Sequence, residues 1–207
     1  MSRVWRYVLR TDNGMAPCSE DGMLTLTCCK PIIRRYAKVG EWVVAFEPTA
    51  LGGKVAYAGQ VSAVLPLGDY EKRYRGRRDA VYRAEVLADG QTAFISLLPE
   101  YHSEEDSRAR DCNGVNGLVF DPFWYWGRNA VEAPGEIADL AYHYVGQSTK
   151  NSSPTKIALL DEWLRSTGRP GVHGTPRDPL PMEALERPVE NRGCESKRTK
   201  ARSLVRC

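Results

Sequence analysis

The stretch "GEWVVAFEPTALGGKVAYAGQVSAVLPLGDY", residues 40–70, decides the fold class. Its first part, "WVVAFEP", is a short apolar run that enters through Gly40 and Glu41 and stops at Pro48, the signature of a strand. The second part, "GGKVAYAGQVSAVLPL", is rich in Val and Ala and reads as one long strand or a bent pair. Gly59 interrupts it, and a glycine inside a strand marks a bulge or a sharp bend, as at the corner of a small barrel.

Further strands lie on both sides. "VWRYVLR" alternates Val4, Arg6, Val8 and Arg10 against Trp5, Tyr7 and Leu9, which suits a strand with one buried face. "TDNGMAP" breaks it with Asn-Gly and Pro. "QTAFISLLP" and "GLVFDPFWYWG" add β-like segments, and "PEYHSEEDSRARDCNG" reads as a loop or short helix. The second half turns helical. "APGEIADLAYHYVG" aligns Ile137, Leu140, Ala141 and Tyr144. "SSPTKIALLDEWLRSTG" has Ser153 as N-cap, Pro154 at the first helical position, Gly168 after the end, and an apolar stripe of Ile157, Leu160, Trp163 and Leu164. Several strands followed by late helices predict an α+β fold. The expected architecture is a small twisted, partly closed β-barrel flanked by helices. Residues 1–168 form the expected domain, and 169–207 a Pro/Gly-rich linker with a disordered basic tail.

Bulk properties narrow the function. The chain has 207 residues with 42% hydrophobic and 27% charged side chains, ordinary values for a globular protein. No apolar run is long enough to span a bilayer, and the N-terminus lacks an apolar signal core, so the expected location is the cytosol with no membrane partner. The formal charge of +3 is uneven. Residues 187–207 carry seven basic side chains against Glu190 and Glu195, so the excess belongs to the tail. The six cysteines include no CxxC pair and the three histidines stand far apart, which gives a structural zinc site no support. P-loop, GxGxxG, HExxH, GxSxG and zinc-deaminase signatures are missing, so neither a metal nor another cofactor is expected.

Four clusters could carry chemistry. In Cys28-Cys29-Lys30-Pro31, nearby cations could activate a thiol, with His102 the first suspect for a base. The other reading is a pair of small hydrophobes in a core strand. Arg34 and Arg35 could offer forks to phosphate or lie on a solvated turn. "EKRYRGRRDAVYR" interleaves basic residues with tyrosines, as single-strand binding requires, though idle surfaces show such runs too. In "FDPFWYWGR", alternation sends Phe123 and Tyr125 one way and Trp124 and Trp126 the other, so one pair can fill a core while its counterpart stacks on a planar ligand.

Taken together, "TDNGMAPC", "LTLTCCKPIIRRYAKVGEWVVAF", "RRDAVYR" and "FDPFWYWG" occur in an order that resembles the nucleotide modification-associated domain family of the second type, whose members are often labelled DNA base hypermodification proteins. The family pattern runs D-x-G-x-A-P, C-T-L-A-x-C-K-P-x-I-R, A-x-x-G-D-W, D-x-x-Y and F-x-Y-F-G. It is matched here by Asp12, Gly14, Ala16, Pro17, Thr25, Leu26, Cys29, Lys30, Pro31, Ile33, Arg34, Ala37, Gly40, Trp42, Asp79, Tyr82, Phe123, Tyr125 and Gly127. Glu41 replaces the Asp of G-D-W, Trp126 stands where Phe is usual, and the family's first cysteine falls on Met23 or Leu24. Residues 39–70 also look like the strand pair of EVE and YTH domains, of the PUA-like group, which hold a modified base in an aromatic pocket.

The resemblance implies a place in a DNA base-modification system, with DNA or a modified nucleotide as partner and other modification enzymes as company. The leading expectation is a binding module in which Trp42, Trp124, Tyr125 or Trp126 stacks on the base. Lys30, Arg34, Arg35 and Arg78 would then meet phosphate, Asp12 or Asp79 would read a polar edge, and Tyr82 would belong to the same site. The alternative is an enzyme of base modification or nucleotide hydrolysis, with Cys29 or an acidic residue as catalyst. A third is an interaction protein whose basic tail contacts nucleic acid.

Overall fold

A computed structural model describes residues 2–140, 146–150, 152–180 and 204–206. Strands β1 (Val4–Val8), β2 (Cys18–Glu20), β3 (Met23–Leu26), β4 (Trp42–Phe46), β5 (Val55–Pro66) and β8 (Asn116–Tyr125) form one sheet in the order β1-β4-β5-β8-β3-β2. β9 (Gly171–Val172) joins it beside the end of β8. β6 (Tyr82–Val86) and β7 (Thr92–Ser96) form a hairpin, which β10 (Leu204–Arg206) extends. The helices are α1 (Pro31–Tyr36), α2 (Leu67–Arg73), α3 (Glu105–Cys112), α4 (Gly135–Ala138) and α5 (Pro154–Ser166). The α+β class is therefore as expected, but the barrel is not. β1 and β2 end the main sheet at opposite edges without pairing to each other, so it stays open, and the PUA-like closure inferred from residues 39–70 does not form.

The stretch at 40–70 supplies the centre of the sheet. β4 and β5 pair antiparallel, and β5 continues along β8. The register shifts between Gly59 and Val61, at the expected bulge. A Cβ on Gly59 would come within 2.8 Å of the Phe120 Cβ, so the glycine permits a close approach of β5 to β8 that no other residue allows.

The sheet is covered on both faces. One face packs Trp5, Tyr7, Leu24, Ile33, Tyr57, Phe120 and Tyr125 under the α1 and α3 side. The other packs Val4, Trp42, Val44, Trp124 and Trp126 against Ile137, Leu140, Leu160 and Leu164 of the α4–α5 region. This double cover explains why β1 is buried from Val4 to Tyr7 rather than on alternate residues. Its free edge is also covered, because Arg6 and Ser148 pair through both backbone bonds and Val4 N–H donates to Ser152 Oγ. Helix α5 begins as its sequence dictates. Ser153 Oγ accepts from Lys156 N–H at 3.2 Å with Pro154 in the first turn, a cap that contributes about 1 kcal/mol.

The Pro/Gly stretch after α5 packs on the fold. Val172 pairs with Tyr125, and Arg177 reaches Glu47 and the carbonyl of Arg10. Asp12 N–H donates to Asp178 Oδ2 and Asp178 N–H to the Asp12 carbonyl, which ties the segment to the loop after β1. Composition concealed this because the holding groups are backbone amides and one arginine, not an apolar stripe. Ala141 and Tyr144 of the expected 133–146 helix, and most of the basic 187–207 tail, lie outside the described residues. Among the described residues, no helix is long and apolar enough to cross a membrane.

Candidate functional site

Cys29 follows β3 at the turn into α1. Both Cys29 and Lys30 adopt the left-handed backbone conformation, with φ of 54° and 41°. Side chains other than glycine visit this region rarely, and at a cost of about 1 kcal/mol or more, so something must hold the turn. The holder is Asp111, whose Oδ1 accepts the Cys29 N–H. Pro31 then starts α1 at a position where its missing N–H costs nothing. The result aims the half-buried Cys29 thiol outward while Cys28 points into the core.

His102 meets that thiol. It too has a positive φ, 50°, and its ring stacks on Tyr101 at 4.1 Å between centroids and 20° between planes. Its Nε2 lies 3.9 Å from Cys29 Sγ, and its Nδ1 lies 2.7 Å from Asp111 Oδ2. Tyr82 donates to the same carboxylate oxygen at 2.8 Å. Asp111 stands in the last turn of α3 and is 1% exposed, so its oxygens are spent on these partners. Arg34, wholly buried, donates to the backbone carbonyls of Thr27 and Asp111 and locks the two limbs of the site together.

Thiol, imidazole and carboxylate thus form a relay in line. Burial works against charge on His102, but the Asp111 and Cys29 contacts outweigh it and push the imidazole up to about 10. It is therefore a cation at neutral pH, facing the sulfur. A cationic imidazole next to a thiol, oriented by a buried carboxylate, is the constellation that activates a sulfur nucleophile and then returns its proton. The 3.9 Å separation is at the long end of hydrogen-bond reach for sulfur.

Cys29 and His102 open onto a cleft of about 660 Å³, large enough for a nucleotide-sized ligand. Tyr7, Leu9, Arg10, Asn13, Lys30 and Gln147 also line it. Asn13 and Gln147 each spend the side-chain oxygen on a backbone amide, of Met15 and of Ile33, which leaves their amide nitrogens as donors. Lys30 Nζ sits 4.5 Å from the centre of the Tyr7 ring, and burial lowers the pKa of its ammonium.

Donor atoms of Cys29, His102 and Asp111 cluster within 4.8 Å and could be considered as metal ligands. The Nδ1–Oδ2 distance of 2.7 Å suits a shared proton, however. Two tetrahedral ligands at about 2.0–2.2 Å from a zinc ion stand about 3.3 Å or more apart. Cys18, Glu20 and Asp79 form a second such group. There the Arg77 guanidinium already supplies the cation, 3.3 Å from Asp79 and 3.6 Å from Cys18 Sγ.

The remaining residues singled out in the sequence are dispersed. Asp79 is buried and accepts from Thr25 at 2.6 Å, from Tyr70 and from Arg77, pinning the loop before β6. Tyr82 joins the triad as the support of Asp111. Asp12 is buried too, and accepts from Tyr125 Oη at 2.9 Å. Trp42 and Trp124 face each other at 6.4 Å in the α5-side core, and Trp126 lies against Trp163 and His173 there. Arg35 donates to the Asn113 carbonyl, and Arg78 pairs with Glu20 at 3.2 Å. Of the expected site residues, Cys29, Lys30 and the suspected base His102 line the cleft. Sequence reasoning missed Asp111 altogether. Its one local sign was a His followed nine residues later by an Asp in a segment that otherwise reads as a loop or short helix.

No curated protein and no solved structure matches the chain. The model of one family, nucleotide modification associated domain 2, matches residues 1–183. That span contains the Cys29–His102–Asp111 relay, the cleft and the 171–178 segment that packs beside it. The chain belongs to the nucleotide modification associated domain 2 family.

Proposed function

We propose that this protein is a thiol-dependent enzyme of a nucleotide-modification system, acting on a nucleotide bound in the cleft between β1 and the Cys29 turn. The observation that carries the reading is the Cys29–His102–Asp111 relay at the cleft wall. Cys29 attacks an electrophilic carbon of the nucleotide or of the group being transferred. His102, held by Asp111 through Nδ1, gives its Nε2 proton to the departing or developing heteroatom and recovers one when the second substrate attacks. Asn13 and Gln147 offer neutral donors to the oxygen on which charge develops. A binding module that stacks the base on tryptophan finds less support, because Trp42, Trp124 and Trp126 are 5% exposed or less and pack on the other face of the sheet.

The two readings separate on one substitution. Cys29→Ser removes the nucleophile and leaves the volume of the cleft nearly unchanged. The test measures the nucleoside composition of DNA and of the free nucleotide pool by mass spectrometry in cells carrying either form. Loss of a modified nucleoside, or build-up of its precursor, with the protein folded and present supports the enzyme. An unchanged composition overturns it in favour of a binding module.

A further inference from the structure

The charges around the cleft are one-sided. Arg10 and Lys30 line it, and none of the described lining residues is Asp or Glu. Arg110 is near enough to act on the Lys30 ammonium. Among the described residues, neither Arg10 nor Lys30 has a carboxylate within ion-pair distance. Other cations of the fold are matched, as in Arg3–Glu41, Arg77–Asp79, Arg78–Glu20 and Arg177–Glu47. Lys30 is half-buried, and its Nζ meets the face of Tyr7 instead of an acid. Burial and the two guanidinium groups disfavour the ammonium, the Cys29 sulfur offsets part of this, and an anion entering the cleft would relieve the rest. The imidazolium of His102 adds to the same field.

We infer that the cleft takes its ligand by a phosphate group, held by Lys30 and Arg10, while the rest of the nucleotide extends toward Cys29. This rests on the proposed nucleotide reading of the cleft and names what anchors the substrate there. Two sources share this chemistry, the monoester of a free 5′-nucleotide and the phosphodiester of a DNA strand. Arg10 is exposed and Lys30 sits deeper, so the anion passes from a solvated rim to a less solvated seat.

Calorimetric titration of the Cys29→Ser protein provides the test. The ligands are dAMP, dCMP, dGMP and dTMP, the four matching deoxynucleosides, and a short single-stranded oligonucleotide. At least one phosphate-bearing ligand should bind about tenfold or more tighter than its nucleoside, a difference equal to one decade in Kd. Inorganic phosphate should compete, and Lys30→Gln or Arg10→Gln should remove most of the preference. A preference for monophosphates identifies a free nucleotide as the source, and binding of the oligonucleotide alone identifies a strand. Equal affinity for nucleotide and nucleoside, no binding by any ligand, or indifference to both substitutions overturns the inference. Because the titrated protein has no thiol at position 29, the outcome does not depend on whether Cys29 is a nucleophile. Failure of the thiol reading would instead leave the phosphate preference intact.

Discussion

Replacing Asp111 by Asn preserves the shape of the side chain and removes the charge that holds the relay. The Cys29 N–H fixes one oxygen position, so the amide oxygen stays there and the new NH₂ group faces His102 Nδ1 and Tyr82 Oη. His102 Nδ1 must then accept, its proton moves to Nε2, and the ring can no longer take one from sulfur. In the native protein the imidazole is pushed from 6.5 to about 10. At about 1.36 kcal/mol per pH unit that difference corresponds to about 5 kcal/mol, an upper bound. The ring edge is 25% exposed, so screening leaves a contribution on the order of 2–3 kcal/mol. Because the folded-state value is raised, this stability is fully present below about 6.5 and lost as pH climbs through about 10. The assay is an NMR titration of the His102 ring, together with denaturant unfolding across the same window. The native ring should titrate well above 8, and Asp111→Asn should bring it to 6.5 or lower and flatten the decline of stability over that window. A native ring titrating near 6.5, or one unmoved by Asp111→Asn, would refute the relay.

Two further substitutions probe how the fold holds the site. Asp12→Ala strips the buried Tyr125 hydroxyl and the Arg177 amide of their acceptor, and should cost about 1–3 kcal/mol. Limited proteolysis should then cut first within 169–180. Gly59→Ala would drive a methyl group to 2.8 Å from Phe120 Cβ, and should destabilise by about 1–3 kcal/mol with the sheet otherwise intact, as read by thermal unfolding.

What could be read in the sequence was local. The Gly59 bulge, the Ser153–Pro154 start of α5 and the mixed α+β class follow from residues whose backbone preferences act where they stand. Burial was harder. Period-2 alternation places Trp124 and Trp126 together but does not reveal that α4 and α5 cover that face. Arg34 carries the charge of a phosphate binder, and only the fold encloses it between Thr27 and Asp111. The barrel failed because closure depends on pairing between sheet edges, which no single strand encodes. The relay was the least legible part. Cys29 is 73 residues from His102 and 82 from Asp111, and these join only when α3 docks beside α1. Asp79 and Tyr82 were recognisable as a motif, yet their tasks, anchoring a loop and supporting Asp111, belong to the folded state.

The central claim, that His102 makes Cys29 the reactive thiol, is tested most directly by alkylation with iodoacetamide at neutral pH, followed site by site with mass spectrometry. Burial pushes the Cys18 and Cys28 thiols up and shields them, whereas Cys29 faces the cleft beside a cationic imidazole. Among the described cysteines, Cys18, Cys28, Cys29 and Cys112, Cys29 should be modified first, and His102→Ala should slow it about tenfold or more, the loss of a contact of about 1.4 kcal/mol. Modification of Cys29 no faster than of Cys18 or Cys28, or at a rate unchanged by His102→Ala, would contradict the account.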